Sequence, residues 1–130
     1  MIIDSSVVVA ILRGDREAEA FAEAMDEAPV RHISAANYVE ASVVIDSWRD
    51  PVLSRGLDTL LDQTSTTIEA VTPKQAKLAR EAYRDYGKGR HRAGLNLGDC
   101  FAYVLAKEKS EPLLFKRDDF RKTDVEVAEY

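Results

Sequence analysis

Five carboxylate residues lie where the strands of a predicted parallel sheet end or where the following helices begin. Asp4 follows a first short apolar run, Glu40 falls in the second turn of one predicted helix, and Asp99 falls in the first turn of another. Asp118 and Asp119 follow the last main predicted strand. Carboxylates around a gap suit Mg²⁺ or Mn²⁺, which prefer oxygen ligands and water. Without a cation, such a cluster repels itself and raises the pKa of one or more members.

Each of these acids also has a purely structural interpretation. Asp4 is a good cap for the first helix. Asp99 stands three residues after Asn96, a typical capping residue, where the helix dipole favours an acid. Glu40 lies at the border of an apolar stripe, where a glutamate is usually solvated, and the paired acids after the last strand are typical of loops. The functional prediction therefore depends on their convergence at one edge of the sheet.

Other chemistries find little support in the sequence. Cys100 has no second cysteine or suitably spaced histidine, so neither a zinc site nor a thiol nucleophile is indicated. His32 falls inside a predicted strand, which favours a structural role. His91 lies in a basic loop, where phosphate contact and simple solvation are equally reasonable. The glycine patterns of P-loop nucleotidases, dinucleotide enzymes and α/β-hydrolases are absent.

Strand-like and helix-like segments alternate along the chain. The first strand ends near Asp4, and a helix then begins at the serines with a Ser as its N-cap. Further strands are predicted at 30–33, 66–71 and 112–115, with a possible last one at 125–127. Further helices are predicted at 16–27, 35–48, 51–61, 73–86 and 97–109. This order predicts an α/β fold with a mostly parallel sheet covered on both faces, in which ligands bind beyond the carboxyl ends of the strands.

Composition limits the class of protein. The 130 residues are 45% hydrophobic and 32% charged, which predicts one folded domain over 1–130 and excludes a disordered tail. A single cysteine suits a reducing cytoplasm. No apolar run approaches the roughly 20 residues that span a bilayer. The opening residues lack a basic leader, so we do not expect a signal peptide.

Charge is distributed unevenly around a net value of −5. Residues 1–73 hold 5 basic and 13 acidic side chains, whereas residues 74–130 hold 13 basic and 10 acidic ones. Within 74–92 there are 7 basic residues and 2 acidic ones. Such a segment is either a solvated helix face with internal ion pairs or a local surface for phosphate groups. Net charge does not decide between the two, because local potential governs contact.

Four stretches together resemble the PIN-domain ribonucleases, and more closely the VapC toxins of bacterial VapBC toxin–antitoxin pairs. They are the opening MIIDSSVVVAIL (1–12), ISAANYVEAS (33–42), YGKGRHRAGLNLGDCFA (86–102) and PLLFKRDDFRKTD (112–124). The third stretch is the most specific. The sequence departs from the family in having Ser5 where Thr is common, and in carrying Arg117 beside the acidic loop.

The resemblance implies a PIN-like three-layer α/β/α fold and a Mg²⁺- or Mn²⁺-dependent endoribonuclease that cleaves tRNA, rRNA or mRNA and inhibits translation. Asp4 and Asp99 would be the principal metal ligands, and Glu40 would bind a second metal or a metal-bound water. Asp118 or Asp119 would complete the cluster, and the sequence leaves open which one. The Ser6 hydroxyl would orient a carboxylate. The basic residues expected to hold the RNA backbone are Lys88, Arg90, His91, Arg92, Lys116, Arg117 and Arg121.

The resemblance also implies a homodimer and a cognate VapB-like antitoxin whose tail occupies the groove at the site. The helices around Phe21 and Leu57–Leu61 are candidate surfaces for these contacts. Two other functions compete with the nuclease. One is a catalytically silent PIN-like module that binds RNA or a protein. The other is a receiver-like phosphoacceptor, which is disfavoured because no acceptor Asp ends the strand at 66–71.

Overall fold

A four-stranded parallel sheet forms the centre of the computed structural model, which describes residues 1–130. Its strands lie in the order β3-β2-β1-β4. Ile2 is in register with both His32 and Leu113, which makes β1 a central strand. All carboxyl ends therefore face the same edge. The strands are β1 (Ile2–Ile3), β2 (His32–Ser34), β3 (Thr67–Glu69) and β4 (Leu113–Leu114).

Two helices separate each strand from the next, so the predicted alternation and the α/β fold class are confirmed. A short 3₁₀ helix, Asp118–Lys122, follows β4. The helices are α1 (Ser5–Arg13), α2 (Ala18–Glu27), α3 (Ala35–Asp46), α4 (Pro51–Gln63), α5 (Pro73–Tyr86) and α6 (Leu97–Lys109).

Successive residues of the short central strands point to opposite faces of the sheet. Ile3 and Leu114 belong to a buried cluster shared with α1 to α4. Ile2 and Leu113 belong to a second cluster shared with α5 and α6. All four side chains are fully buried. The sheet is therefore the middle of three layers. Packing of helices on both faces fixes the position of the residues at the carboxyl ends of the strands.

Polar caps set where the helices start. Asp4, rather than the predicted serine, caps α1, because its carboxylate accepts the backbone N–H of Ser6. Ser34 caps α3 and Thr72 caps α5. Asn96 caps α6 in a reciprocal arrangement with Asp99. These caps therefore hold Asp4 at the start of α1, and Asp99 at the start of α6, at the same edge of the sheet.

Strands are shorter than the sequence predicts. The segment 66–71 is strand only from Thr67 to Glu69, at the edge of the sheet, where Ile68 remains 44% exposed. The possible last strand at 125–127 is a single bridge between Val127 and Leu113. β-branched residues favour a strand throughout each of these segments, but only part of each segment has a neighbouring strand with which to pair.

The side chains of Phe21, Leu57 and Leu61 are core residues, so they do not themselves supply the contacts expected of their helices. Phe21 is completely buried, and the two leucines are each 3% exposed in the core beside α1. Their helical spacing reflects ordinary core packing. No helix of this chain has both the length and the apolar character needed to cross a membrane.

Candidate active site

The carboxyl ends of β1 and β4, together with residues of α1, α3 and α6, surround a cavity of about 440 Å³. Four carboxylates from four separate parts of the chain lie in its wall. Three cationic side chains also line it. The lining residues are Asp4, Ser5, Ser6, Val9, Arg13, Glu40, Ala41, Val44, Asn96, Asp99, Lys116, Arg117, Asp119 and Phe120.

Asp4 performs a structural task with one oxygen and leaves the other free. Its Oδ2 accepts hydrogen bonds from the Ser6 backbone N–H at 3.0 Å and from the Ser6 hydroxyl at 2.6 Å. Its Oδ1 is buried and has no hydrogen-bond partner in the chain. Burial raises the pKa of Asp4 above the usual 3.8, and the nearby charge of Glu40 adds to this rise. A buried oxygen without a donor is unfavourable unless a ligand reaches it.

The Ser6 hydroxyl joins two strands of the site. It donates to Asp4, and it accepts the backbone N–H of Lys116 at 3.1 Å. Lys116 follows β4, so this contact ties the end of β4 to the start of α1. The Ser6 hydroxyl therefore holds one oxygen of Asp4 in place.

Asp99 is held by a capping box at the start of α6. Its Oδ2 accepts the Asn96 backbone N–H at 2.9 Å, and its own N–H donates to the Asn96 side chain at 2.8 Å. Burial, together with the negative charges of Asp4, Glu40 and Asp119, raises the pKa of Asp99 to about 7. Asp99 therefore caps α6 and also lines the cavity.

Glu40 reaches the cavity from α3. It accepts hydrogen bonds from the Ser5 hydroxyl and, at 3.4 Å, from the Asn37 side-chain amide. Asn37 also donates to the Gly98 carbonyl at 2.9 Å, which links α3 to α6. The Glu40 carboxylate lies so close to Gly98 that a Cβ atom at this position would overlap it. Gly98 is therefore the residue that admits Glu40 to the site.

The two acids after β4 have different surroundings. Asp119 lines the cavity beside Phe120, which is buried. The Asp118 side chain is 86% exposed and faces Arg121, with 3.6 Å between Oδ1 and Nε. Only Asp119 is brought together with Asp4, Glu40 and Asp99.

This arrangement fits a hard divalent cation. The free Oδ1 of Asp4 is a buried, unpartnered donor atom at the bottom of an acidic cavity. No group of three or more His, Cys, Asp or Glu side chains is already arranged to hold a metal ion. Mg²⁺ is typically held by one or two carboxylates and keeps several waters. The residues therefore suit a cation whose remaining ligands are water and substrate.

A cationic rim faces the acids, and most of it is not evident from the sequence. Asp15 accepts two hydrogen bonds from Arg13, at 2.8 and 2.7 Å, and one from the Lys116 ammonium at 2.6 Å. Glu17 lies 3.5 Å from the same ammonium. These pairs lower the pKa of Asp15 and raise that of Lys116. Arg13, Asp15 and Asn37 were missed, and only the short spacing of Arg13 and Asp15 hints at the pair.

The other predicted RNA-contacting residues divide into two groups. Lys116 and Arg117 line the acidic cavity. Lys88, Arg90 and Arg92 are exposed in the loop between α5 and α6 and do not line it. In the same loop, His91 accepts the Ala93 backbone N–H at 3.0 Å and packs edge-on against Tyr86.

Three more residues that the sequence singled out lie outside the cavity. Arg121 lies over the Phe115 ring, 5.7 Å from its centroid. His32 pairs with Glu69 at 2.8 Å, on β2 and β3, as a structural role requires. Cys100 is a buried free thiol, and burial raises its pKa to about 11. An inert core thiol fits this environment.

Comparison with known proteins gives consistent results. The PIN domain family matches residues 1–126. Ribonuclease VapC28 of Mycobacterium tuberculosis is 51% identical over 129 residues, which are 98% of this chain and 97% of that protein. The crystal structure of Mycobacterium tuberculosis VapC20, a sarcin–ricin loop cleaving toxin, has a TM-score of 0.79 at 14% identity and covers 95% of both chains. A toxin–antitoxin complex from Klebsiella pneumoniae has a TM-score of 0.73 at 19% identity and covers 99% of this chain and 97% of that one.

The raised pKa of Asp99 predicts how stability changes with pH in the cation-free protein. Between the unfolded value of 3.8 and the folded value of about 7, the folded state binds the extra proton, so this group makes stability fall as pH rises. Asp99→Asn removes the titration and keeps an oxygen for the cap. Between pH 5 and pH 8 we expect the variant to lose about 2 kcal/mol less stability than the wild type, or roughly 5–10 °C in Tm. Thermal melts in chelator measure this, and parallel curves for the two proteins would contradict it.

Proposed function

Because this chain belongs to the PIN-domain family, as one of its VapC ribonuclease toxins, we propose that it cleaves RNA with one or two divalent cations held in the acidic cavity. Asp4 and Asp99 would be the principal ligands, with Glu40 and Asp119 completing the site. The observation that carries this proposal is the buried Asp4 oxygen without a partner, surrounded by three further carboxylates from separate elements.

The two principal acids are suited to share a cation between them. Each uses Oδ2 in a helix cap, Asp4 toward Ser6 and Asp99 toward Asn96, which leaves each Oδ1 available. A bound cation would lower the pKa of a water molecule and offset negative charge on the scissile phosphate. Glu40, held by Ser5 and Asn37, would orient that water or bind a second cation. We propose Mg²⁺ or Mn²⁺, because the donors are oxygens.

The cationic rim would hold the substrate. RNA is a polyanion, and the acids alone would repel it. Lys116 and Arg117 line the cavity on the side of β4, and Arg13 lines it on the side of α1. Asp15 holds both Lys116 and Arg13 in place. These two phosphate-binding side chains would therefore already be oriented before RNA binds. We propose tRNA, rRNA or mRNA as the substrate class, with inhibition of translation as the result.

We further propose a VapB-like antitoxin as partner, whose tail would occupy the groove at the site. The structural similarity to a toxin–antitoxin complex supports it. A homodimer and a cytoplasmic location are also proposed, with residues 1–130 acting as one domain. The unpaired, buried Cys100 suits a reducing compartment. Val39 and Val43, 57% and 65% exposed on α3, are better candidates for these contacts than the buried Phe21 and Leu57.

The nuclease is tested by RNA cleavage with the purified chain, freed of antitoxin. With total cellular RNA and Mg²⁺ or Mn²⁺, we expect discrete cuts that chelator abolishes and that Asp99→Asn reduces at least 100-fold, a loss typical of a metal or acid–base group. End-sequencing of the products would identify the target. Cuts that persist in the variant would show that the site is misassigned. A folded wild type that cuts nothing and binds no Mn²⁺ would favour a silent binding module.

The two adjacent acids after β4 provide a matched pair. Asp119→Asn removes a carboxylate from the cavity wall, and we expect it to reduce cleavage at least tenfold and to weaken Mn²⁺ binding. Asp118→Asn changes the neighbouring charge on an exposed side chain and should leave cleavage within about twofold of the wild type. Initial rates on the same RNA measure both. Equal losses in the two variants would contradict the assignment of Asp119 to the site.

Gly98→Ala tests the approach of Glu40 to α6. The added methyl group must displace a flexible carboxylate rather than backbone, so we expect folding to be kept and cleavage to fall at least tenfold. Gly56→Ala is a suitable control, because its Cβ would approach only the end of the Leu12 side chain, at 3.1 Å. Thermal melts and cleavage rates are compared for the two variants. Wild-type cleavage by Gly98→Ala would mean that Glu40 is not needed where the structure has it.

A further inference from the structure

We propose that a cleft between α5 and α6 binds a single-stranded segment of the RNA substrate outside the acidic cavity. The cleft has a volume of about 410 Å³ and is lined by Arg80, Arg84 and Arg90 together with the rings of Tyr83 and Phe101. We call it the arginine cleft. The inference rests on the proposed function, since its ligand is the polynucleotide that the acidic cavity would cut.

The three arginines of this cleft have no partner in the chain. None of their guanidinium groups forms an ion pair or a side-chain hydrogen bond, and all three side chains are exposed. Arg80 and Arg84 are one helical turn apart on the same face of α5, where like charges destabilise a helix. Convergence of unpaired cations is unfavourable in the free protein and favourable once a polyanion is bound.

The acids of α5 lie on the side of the helix away from the arginine cleft. The two acids, Glu81 and Asp85, line a different groove, together with Lys74. No acidic side chain lines the arginine cleft. Elsewhere on α5 acids and bases alternate, as Lys77 and Glu81 do at i, i+4, but the side that carries Arg80 and Arg84 holds no acid. For Arg80, Arg84 and Arg90, which belong to the basic segment 74–92, this geometry favours the phosphate-binding surface over the solvated face.

The aromatic side chains add a second kind of contact. Tyr83 and Phe101 are partly buried against the core beneath α5 and α6 and still contribute to the wall of the cleft. Leu97 extends the wall and is 68% exposed. Flat rings beside guanidinium groups are typical of sites for single-stranded nucleic acid, in which bases stack while phosphates are neutralised. An acidic peptide would satisfy the arginines but would not use the rings in this way.

The position of the cleft connects it to the acidic cavity. Both lie against the first turns of α6: Asn96 and Asp99 line the cavity, while Leu97 and Phe101 line the cleft. One strand of RNA that passes over the start of α6 would therefore contact both. The cleft would hold nucleotides flanking the cut, and it would contribute affinity rather than chemistry.

The test uses Arg80→Gln/Arg84→Gln in the full chain, with a fluorescein-labelled 15-nucleotide single-stranded RNA of mixed sequence as the probe. Binding is followed by anisotropy in chelator, so that no cleavage occurs, over a series of salt concentrations. We expect affinity to fall about tenfold and the slope of log K against log[salt] to become shallower by about 1.4, the value for two lost contacts on a single strand. Arg90→Gln, in the loop, should shift both in the same direction.

The matched control is Arg49→Gln/Arg55→Gln. It removes the same charge from exposed arginines that also lack ion-pair partners, in and before α4, which packs on α1 and α3 instead of α6. This control should bind the probe as the wild type does, apart from the small general effect of net charge. Tyr83→Ala should weaken binding severalfold without changing the salt slope, because stacking releases no counterions.

The outcomes separate this inference from the proposed function. If the wild type cleaves RNA while the Arg80/Arg84 variant binds and cleaves like the control, the arginine cleft is refuted and the nuclease stands. If the wild type binds the probe through these arginines but never cleaves RNA with Mg²⁺ or Mn²⁺, the cleft stands and the nuclease fails. If the variant changes only the sedimentation of the free protein and leaves RNA binding intact, the cleft is an interface between copies of this chain and the inference is overturned.

Discussion

Mutual repulsion among four carboxylates around one cavity is the constraint on which the rest of this structure depends. Asp4, Glu40, Asp99 and Asp119 surround one cavity, and the pKa of Asp99 rises to about 7 as a result of burial and of its neighbours' charge. The folded chain tolerates this because the four acids come from separate elements anchored in two apolar layers. The fully buried Ile2 and Ile3 on β1 pack against opposite layers, so the chain at Asp4 has little freedom to relax away from the site.

Asp4 and Asp99 each use one carboxylate oxygen in a helix cap and leave the other oxygen free. Ser6 and Asn96 bind one oxygen of Asp4 and one of Asp99, and Asn37 helps to hold Glu40 while it bridges α3 to α6. The same contacts that start helices α1 and α6 thus orient the acids. In a parallel sheet, the edge that receives ligands is also the edge where helices begin. For this reason the same residues could be interpreted either as helix caps or as members of a site.

Much of this could be predicted from local patterns. Alternating apolar segments predicted the element order, and the Asn96-to-Asp99 spacing predicted the start of α6, because both depend on residues close in the chain. Which of Asp118 and Asp119 enters the cavity depends on the turn of the 3₁₀ helix after β4, which periodicity does not reveal. The pairing of Arg13 and Lys116 through Asp15 joins residues about 100 positions apart, and no local signal announces it. The buried state of Phe21 is likewise a matter of packing, since an apolar helical stripe has the same spacing whether the core or a partner covers it.

The contact between Glu40 and Gly98 also restricts how this sequence can diverge. A glycine inside the first turn of α6 weakens the helix relative to alanine, so drift toward a larger residue would ordinarily be favoured for stability. Here a side chain at position 98 would occupy the space taken by the carboxylate of the extended Glu40 side chain. The two positions, 58 residues apart, are therefore a coupled pair: a lineage gains a better helix at one only by shortening or retracting the acid at the other. A side chain at position 98 should therefore be accompanied among descendants by a shorter or withdrawn side chain at position 40.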